Sequence, residues 1–442
     1  DAAGVQLTLS VFLAGFASSL NPSLPEIPSS LAPLPKVRGA IRAVRIFRCL
    51  PQHPAYEGKV RTVSNLLPMK PPRILLSGFF GLSNLGDEAI FESMVADFRA
   101  QCPEVQISAL VADDRRAQAL GVRTYRRKHL PSILRAIGDC DVFVSGGGGL
   151  IQDSTGVASV VYYLGLVQLA ATLGKPTYLY AQGFGPVSTS WGKRLCRWLS
   201  HSISLATFRD DQSLQDFQQL ASRKVPAYVT ADPALLLPPC PPKELSQLLQ
   251  KEGLTGEISI LDGPTGKHSN SGPLVAVTLR PWPTLNLDQV VAGLQKFQDE
   301  HKARYVLLAF HPEKDLAICK EVQQRLQGPC RLLDPGWQPA QVAGFLRCCD
   351  LIVGMRLHSL ILAAGAQIPC IGLSYDPKVE RFAQRAGAVP LELENISSES
   401  LSKALQHLFQ GRHHARKAAK PKIEQMELDA HKTTRAALAL AR

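Results

Sequence analysis

From residue 73 onward the chain is ordered by one feature: short apolar runs of strand length alternate with longer segments of helical period. The runs fall at 73–78, 105–111, 141–145, 176–181 and 204–208, and helical spacing lies between several of them, as in Ile90, Met94, Val95 and Phe98. Alternation of this kind is the signature of a parallel sheet with crossover helices. The series breaks at "LLLPPCPPKE" and "DGPTGKHSNSGP", where proline, glycine and serine extend neither pattern. It then resumes with strands at 274–279, 304–310, 350–354 and 369–373 and with helices such as "LDQVVAGLQKFQDEH". The fold class expected is α/β, two Rossmann-like doubly wound domains facing a cleft, with an N-terminal domain over 69–240, a linker over 241–273 and a C-terminal domain over 274–410.

Composition agrees with that division. A chain of 442 residues, 45% hydrophobic and 19% charged, can bury two cores of ordinary size, and no stretch repeats at a fixed period or is of low complexity. The formal charge of +12 points to acidic ligands, an anionic membrane surface or nucleic acid. Ten cysteines are scattered, apart from adjacent Cys348 and Cys349, with no CxxC pair and no histidine at zinc-ligand spacing. They read as reduced core residues, which implies a reducing compartment, and no metal site is expected.

Both ends depart from the regular pattern. In residues 1–68 an apolar stretch of 16, "VQLTLSVFLAGFASSL", precedes the basic Lys36, Arg38, Arg42, Arg45 and Arg48. It is shorter than the roughly 20 residues of a spanning helix and has the wrong polarity for a secretory signal. The first methionine, Met69, stands directly before "KPPRILLSGFFG", so the domain is expected to start there behind an N-terminal extension; a plastid-type transit segment and a membrane-associating arm are the competing readings. At the other end, residues 411–442 hold eight Lys or Arg against three acids and read as a basic helix or tail.

In doubly wound sheets ligands sit beyond the carboxyl ends of the strands, which makes the residues after each strand candidates. "ILLS" is followed by "GFFGLSNLGDEAIF" with Asn84, Asp87 and Glu88; "DVFVS" by "GGGGLIQD" with Gly146, Gly147, Gly148, Gly149, Gln152 and Asp153; and "TYLYA" by Gln182. Arg209 follows "SLATF", Arg280 follows "VAVTL", His311 follows "YVLLAF", Arg356 and His358 follow "DLIVGM", and Tyr375 and Lys378 follow "CIGLS". Cations placed at random would not favour strand ends, whereas a small polyanion calls for guanidinium groups there.

Each candidate has a plainer reading. The tetraglycine could form a tight turn, although four glycines leave more backbone N–H groups bare than a turn requires. It is followed by no Gly-Lys-Ser/Thr and lacks the spacing of a dinucleotide fingerprint. Asn84, Asp87 and Glu88 would serve equally to cap and charge a helix start. His311, before a proline, could be a solvated strand terminus, and Lys378 a first-turn helix residue. Arg356 and His358 are harder to set aside, because a fixed cation stands beside a group that titrates near neutrality.

"GFFGLSNLGDEAIF", "DVFVSGGGGLIQD", "YAQGFGPV", "TFRDDQS", "GMRLHSLILAA" and "GLSYDPKV" occur in an order that resembles the polysaccharide pyruvyl transferase family, most closely its CsaB-type bacterial members, over residues 71–400. The resemblance implies a two-lobed fold similar to GT-B glycosyltransferases and transfer of pyruvate from phosphoenolpyruvate onto a sugar of a cell-surface polysaccharide as a ketal. By position, Arg209, Arg356, His358 and Lys378 match family residues tied to donor binding or catalysis, with Arg280, His311 and Tyr375 expected beside the donor. The glycine run, Gln152, Asp153, Gln182 and the "GDEAI" loop fall on the lobe expected to bind the acceptor.

The chemistry suits these residues. The carboxylate and phosphate of phosphoenolpyruvate fit an arginine-rich pocket with a lysine point charge, and ketal formation needs proton transfer, for which His358 has a suitable ordinary pKa. Phosphoenolpyruvate is expected as co-substrate with no cofactor, a lipid-linked sugar as acceptor, and a cytoplasmic location with peripheral contact to anionic membrane. A GT-B glycosyltransferase using a nucleotide-sugar is the first alternative, since fold does not choose the donor. A non-enzymatic basic module is the second; its nucleic-acid form is disfavoured because residues 411–442 contain no Phe, Tyr or Trp for base stacking.

Overall fold

The structure, a computed structural model, describes residues 70–153, 158–222, 224–254 and 272–442. The N-terminal extension, Met69 and most of the expected linker lie outside those residues. The chain divides into two compact units, the first holding residues 70–81, 97–231 and 429–442, the second residues 82–96 and 232–428. Asn84, Asp87 and Glu88, expected on the N-terminal lobe, thus belong to the second unit.

The first unit is built on a parallel sheet of seven strands: β1 (Arg73–Ser77), β2 (Gln106–Val111), β3 (Arg123–Arg126), β4 (Val142–Ile151), β5 (Thr177–Phe184), β6 (Leu205–Phe208) and β7 (Ala227–Val229). Their order is β3-β2-β1-β4-β5-β6-β7, so the connections reverse direction between β1 and β4. The second unit repeats the plan with β8 (Leu274–Thr278), β9 (Arg304–Leu307), β10 (Cys330–Leu332), β11 (Leu351–Gly354), β12 (Cys370–Ser374) and β13 (Val389–Glu392), ordered β10-β9-β8-β11-β12-β13, with its reversal between β8 and β11. Both are doubly wound Rossmann-like sheets, and each reversal marks where ligands of such sheets bind.

The apolar runs become central strands because helices cover both faces of the sheet. Leu75, Phe143, Leu179 and Ala206 are fully buried in the first core, as are Val275, Val277, Leu351, Val353, Ile371 and Leu373 in the second. The helix Leu287–His301 shows how the crossovers are held. Asn286 caps it by accepting from the Gln289 N–H at 3.2 Å, Val290, Leu294 and Phe297 face the core, and Lys302 ends it at φ 54°.

Three features differ from the sequence reading. The strands at 123–126, 227–229, 330–332 and 389–392 were not foreseen, and all four are sheet edges. Gly146–Gly149 is not a loop after a strand but part of β4, paired to β5 through Gly146 with Tyr180 and Gly148 with Gln182, with a register shift before Ile151 pairs Phe184. Gly147 and Gly148 take φ of 69° and 78°, so the glycines let a strand bulge where side chains could not follow. The expected linker contains the helix Pro242–Lys251, anchored by buried Leu245 and Leu249.

Residues 412–440 form one helix. Its last residues pack in the first unit, where Thr434 Oγ1 and Tyr180 Oη share a buried hydrogen bond of 2.6 Å and His431 Nδ1 lies 2.7 Å from Asp97. In the second unit Ile423 and Met426 are buried while Lys417, Lys420 and Lys422 are exposed. Among the described residues no helix is long and apolar enough to cross a membrane.

Candidate active site

The second unit collects most of the expected cations at the carboxyl edge of its sheet. Arg356 follows β11 and caps the helix Leu357–Gly365. Its guanidinium is not loose: Nε donates to Asp315 Oδ2 at 3.0 Å and Nη2 donates to Asp315 Oδ1. Asp315 is fully buried on the helix Pro312–Arg325, and its Oδ2 also accepts the His311 N–H at 2.9 Å. A buried carboxylate thus fixes the Arg356 fork and holds the turn that carries His311. Burial pushes the His311 imidazole below the usual range, and Lys314 and Arg356 act in the same direction, so the neutral ring is favoured.

His358 lies one residue into the helix that Arg356 caps, and its side chain is 16% exposed. Nε2 sits 3.6 Å from Asp232 Oδ2, too far for a hydrogen bond, and it finds no hydrogen-bond partner among the described residues. Asp232 is buried and accepts the Ala234 N–H at 3.1 Å. On the other side Nδ1 rests against Gly86, where a β-carbon would come within 2.3 Å of it. The glycine of "NLGDEAI" therefore makes room for the imidazole.

Asn84 and Asp87 are tied together at that helix start. Asn84 Nδ2 donates to Asp87 Oδ2, and Asn84 Oδ1 accepts the Gly86 N–H at 3.2 Å. The capping role accounts for these contacts, while Glu88 lies half-buried in the first turn.

Arg280 and Tyr375 meet at the ends of β8 and β12. Nη1 donates to Tyr375 Oη at 3.2 Å, and the guanidinium lies 5.1 Å from the Tyr375 ring and 4.9 Å from that of Trp282. Lys378 Nζ pairs with Asp376 Oδ2 at 2.8 Å at the start of the helix Pro377–Ala386. Burial would raise the Asp376 pKa, but the charge and hydrogen bonds of Lys378 outweigh it and hold the carboxyl below the usual range.

The remaining candidates are in the first unit. Arg209 leaves β6 with its side chain 9% exposed, packs on Gly183 and comes within 4.0 Å of Asp210. Gln182 is fully buried and donates to the Ser145 carbonyl at 3.0 Å. Asp153 accepts from the Ser188 and Thr189 N–H groups at 2.8 Å and from Thr189 Oγ1 at 2.6 Å, which fastens the loop before the helix Ser190–Leu199. Gln152 is half-buried beside it, and of the four glycines Gly149 is the exposed one. Asp232, Asp315 and Gly86 were not singled out from the sequence. Asp232 follows an edge strand of only three residues, too short to read, and Asp315 looks like an ordinary first-turn acid.

Comparison with known proteins bears on the fold and the family. The UDP-GlcNAc 2-epimerase of Neisseria meningitidis, solved with UDP-GlcNAc, is similar in structure at a TM-score of 0.53 and 12% identity, over 83% of this chain and 99% of that one. A glycosyltransferase from Rickettsia africae aligns at 0.53 and 12%, over 84% and 98%. The Anabaena protein HepE, in complex with UDP and glucose, aligns at 0.51 and 13%, over 83% and 97%. At such identities the likeness shows a GT-B-like fold. No curated protein matches the chain in sequence. The sequence profile described as polysaccharide pyruvyl transferase, however, matches residues 84–377, from Asn84 at the helix start beside His358 to the first residue of the helix that carries Lys378, and the chain belongs to the polysaccharide pyruvyl transferase family.

Proposed function

We propose that the protein transfers the enolpyruvyl carbon unit of phosphoenolpyruvate onto two hydroxyls of one sugar in a cell-surface polysaccharide or its lipid-linked precursor, forming a pyruvate ketal and releasing phosphate. The observation that supports this most strongly is the setting of His358: a titratable ring between a buried carboxylate and a glycine, two residues from a guanidinium already oriented by Asp315.

In this reading Arg356 and Lys378 receive the donor's carboxylate and phosphate. A proton adds to C3 of the enol while the first sugar hydroxyl bonds to C2 and gives up its own proton. The C2–O bond to phosphate then breaks, and the second hydroxyl bonds to C2; its proton leaves with the phosphate. His358 moves the proton at C3, with the buried Asp232 carboxylate 3.6 Å from its Nε2, and no cofactor is assigned. Arg209 is held in reserve for anion binding within the first unit. Exposed Lys417, Lys420 and Lys422 would favour peripheral contact with an anionic membrane carrying the acceptor.

The test is incubation of the purified protein with phosphoenolpyruvate and a panel of lipid-linked or synthetic glycosides, following phosphate release and product mass. A product heavier than the acceptor by one ketal-linked pyruvate is expected. Consumption of a UDP-sugar with no use of phosphoenolpyruvate would replace this reading by the glycosyltransferase one.

A further inference from the structure

The reaction needs a place for a sugar ring, and several residues expected to bind one are already engaged. Asn84 caps a helix, Asp153 holds a loop and Gln182 bonds a buried carbonyl. In the second unit another group has the right chemistry. Trp282 and Tyr375 lie with ring centroids 4.6 Å apart at an interplanar angle of 58°, both packed against the core and both half-buried. Arg280 sits against both rings, and its buried Nε has no hydrogen-bond partner among the described residues.

We infer that Trp282, supported by Arg280 and Tyr375, forms the subsite on which the acceptor's pyranose ring stacks. Topology gives its place: Arg280 leaves β8 and Tyr375 leaves β12, and β11, the strand that delivers Arg356 and His358, runs between them. With neighbouring strands about 4.8 Å apart, the two side chains meet across the end of β11. A ring seated there would bring its hydroxyls beside the reacting groups, at the reversal point of the sheet. The indole supplies a rigid apolar face at low entropic cost, and Arg280 adds hydrogen-bond donors for hydroxyls.

This inference rests on the pyruvyl transferase reading, and its test separates the two. Saturation-transfer NMR on the full chain, with methyl glycosides of galactose, glucose, mannose, N-acetylglucosamine and N-acetylmannosamine, measures sugar binding without turnover, while calorimetry measures phosphoenolpyruvate affinity. Trp282→Leu should weaken glycoside binding about tenfold or more, the loss of one stacked ring, and leave phosphoenolpyruvate affinity unchanged. Trp282→Phe, which keeps a ring, should recover most of the binding and guards against a folding defect. Unchanged glycoside signals in Trp282→Leu, loss of phosphoenolpyruvate affinity alongside, or no glycoside signal with the wild type would each overturn the subsite. If wild-type protein binds glycosides through Trp282 but never consumes phosphoenolpyruvate, the subsite stands and the reaction assigned to it falls.

Discussion

The contact between Gly86 and His358 offers a way to move the catalytic candidate without removing it. In Gly86→Ala the new methyl would stand 2.3 Å from Nδ1, 2.6 Å from Cγ and 2.8 Å from Cβ of His358. Ordinary carbon contacts begin at about 3.5 Å, so the imidazole must retreat by about 1 Å. Retreat towards Asp232 is limited, because that carboxylate is buried and already 3.6 Å away. Overpacking of this size costs about 1–3 kcal/mol. The fold should survive. Turnover should not, since a displacement of about 1 Å at a reacting group can cost roughly 10²-fold. The assay is phosphate release at saturating phosphoenolpyruvate and glycoside, with thermal unfolding and donor affinity measured on the same samples. Donor affinity should change little. Adding His358→Ala to Gly86→Ala should cost no more than His358→Ala alone, because both act through one ring. A folded Gly86→Ala enzyme with turnover within about threefold of wild type would refute the assignment of His358 to the proton transfer, given that sensitivity to position.

Other outcomes follow from the same geometry. His358→Gln, which cannot titrate near neutrality, should cut turnover by roughly 10²–10⁴ and abolish the corresponding limb of the pH profile, with donor affinity retained in calorimetry. Asp315→Ala removes the buried partner of the Arg356 fork and should destabilise the protein by about 3–5 kcal/mol in denaturant unfolding, because a part-buried cation is left uncompensated. Asp153 is subject to burial, which raises its pKa, but the donors from Thr189 and Ser188 outweigh this and hold the carboxyl below the usual range. Its folded pKa is thus lower than its unfolded value of about 3.9, so its contribution is present above that pH and lost as pH falls through the folded value. Asp153→Asn should lower stability at pH 7 and flatten the acid unfolding curve below about pH 4. Replacing Lys417, Lys420 and Lys422 by Gln should weaken salt-sensitive binding to anionic vesicles, at roughly 1 kcal/mol per lysine, and vesicle binding untouched by the change would leave the basic face merely solvated.

The pattern of what could be read from the sequence has a physical cause. Nine strands were legible because they are flanked by other strands and covered by helices, so apolar residues run through the middle of each on both faces. Val275 and Val277, on one face, are as buried as Ala276 on the other. The four unread strands border solvent on one side. In Arg123–Arg126 both ends are exposed, and in Val389–Glu392 exposure alternates, so burial imposes no continuous run on the sequence. The glycine run was misplaced for a related reason: glycine signals freedom of φ, which a bulge inside a strand uses as readily as a loop does.

The same reasoning explains which half of the site could be seen. A parallel sheet fixes where each strand ends, so a cation just beyond an apolar run can be placed on the carboxyl edge with no knowledge of its neighbours, and Arg280, Arg356 and His358 were found that way. Their anionic partners obey no such rule. Asp315 lies 41 residues before the arginine it holds, in "HPEKDL", where a helix start accounts for an acid with no appeal to function. Asp232 follows the edge strand β7, whose three half-buried residues "AYV" are too short a run to mark a strand, so its position near a strand end could not be inferred. Gly86 is more extreme, since its role is the absence of a side chain beside a histidine 272 positions later in the numbering. A group that acts by its own charge at a strand terminus leaves a local trace in sequence. One that acts by orienting or admitting another group is defined only by the pairing that folding creates.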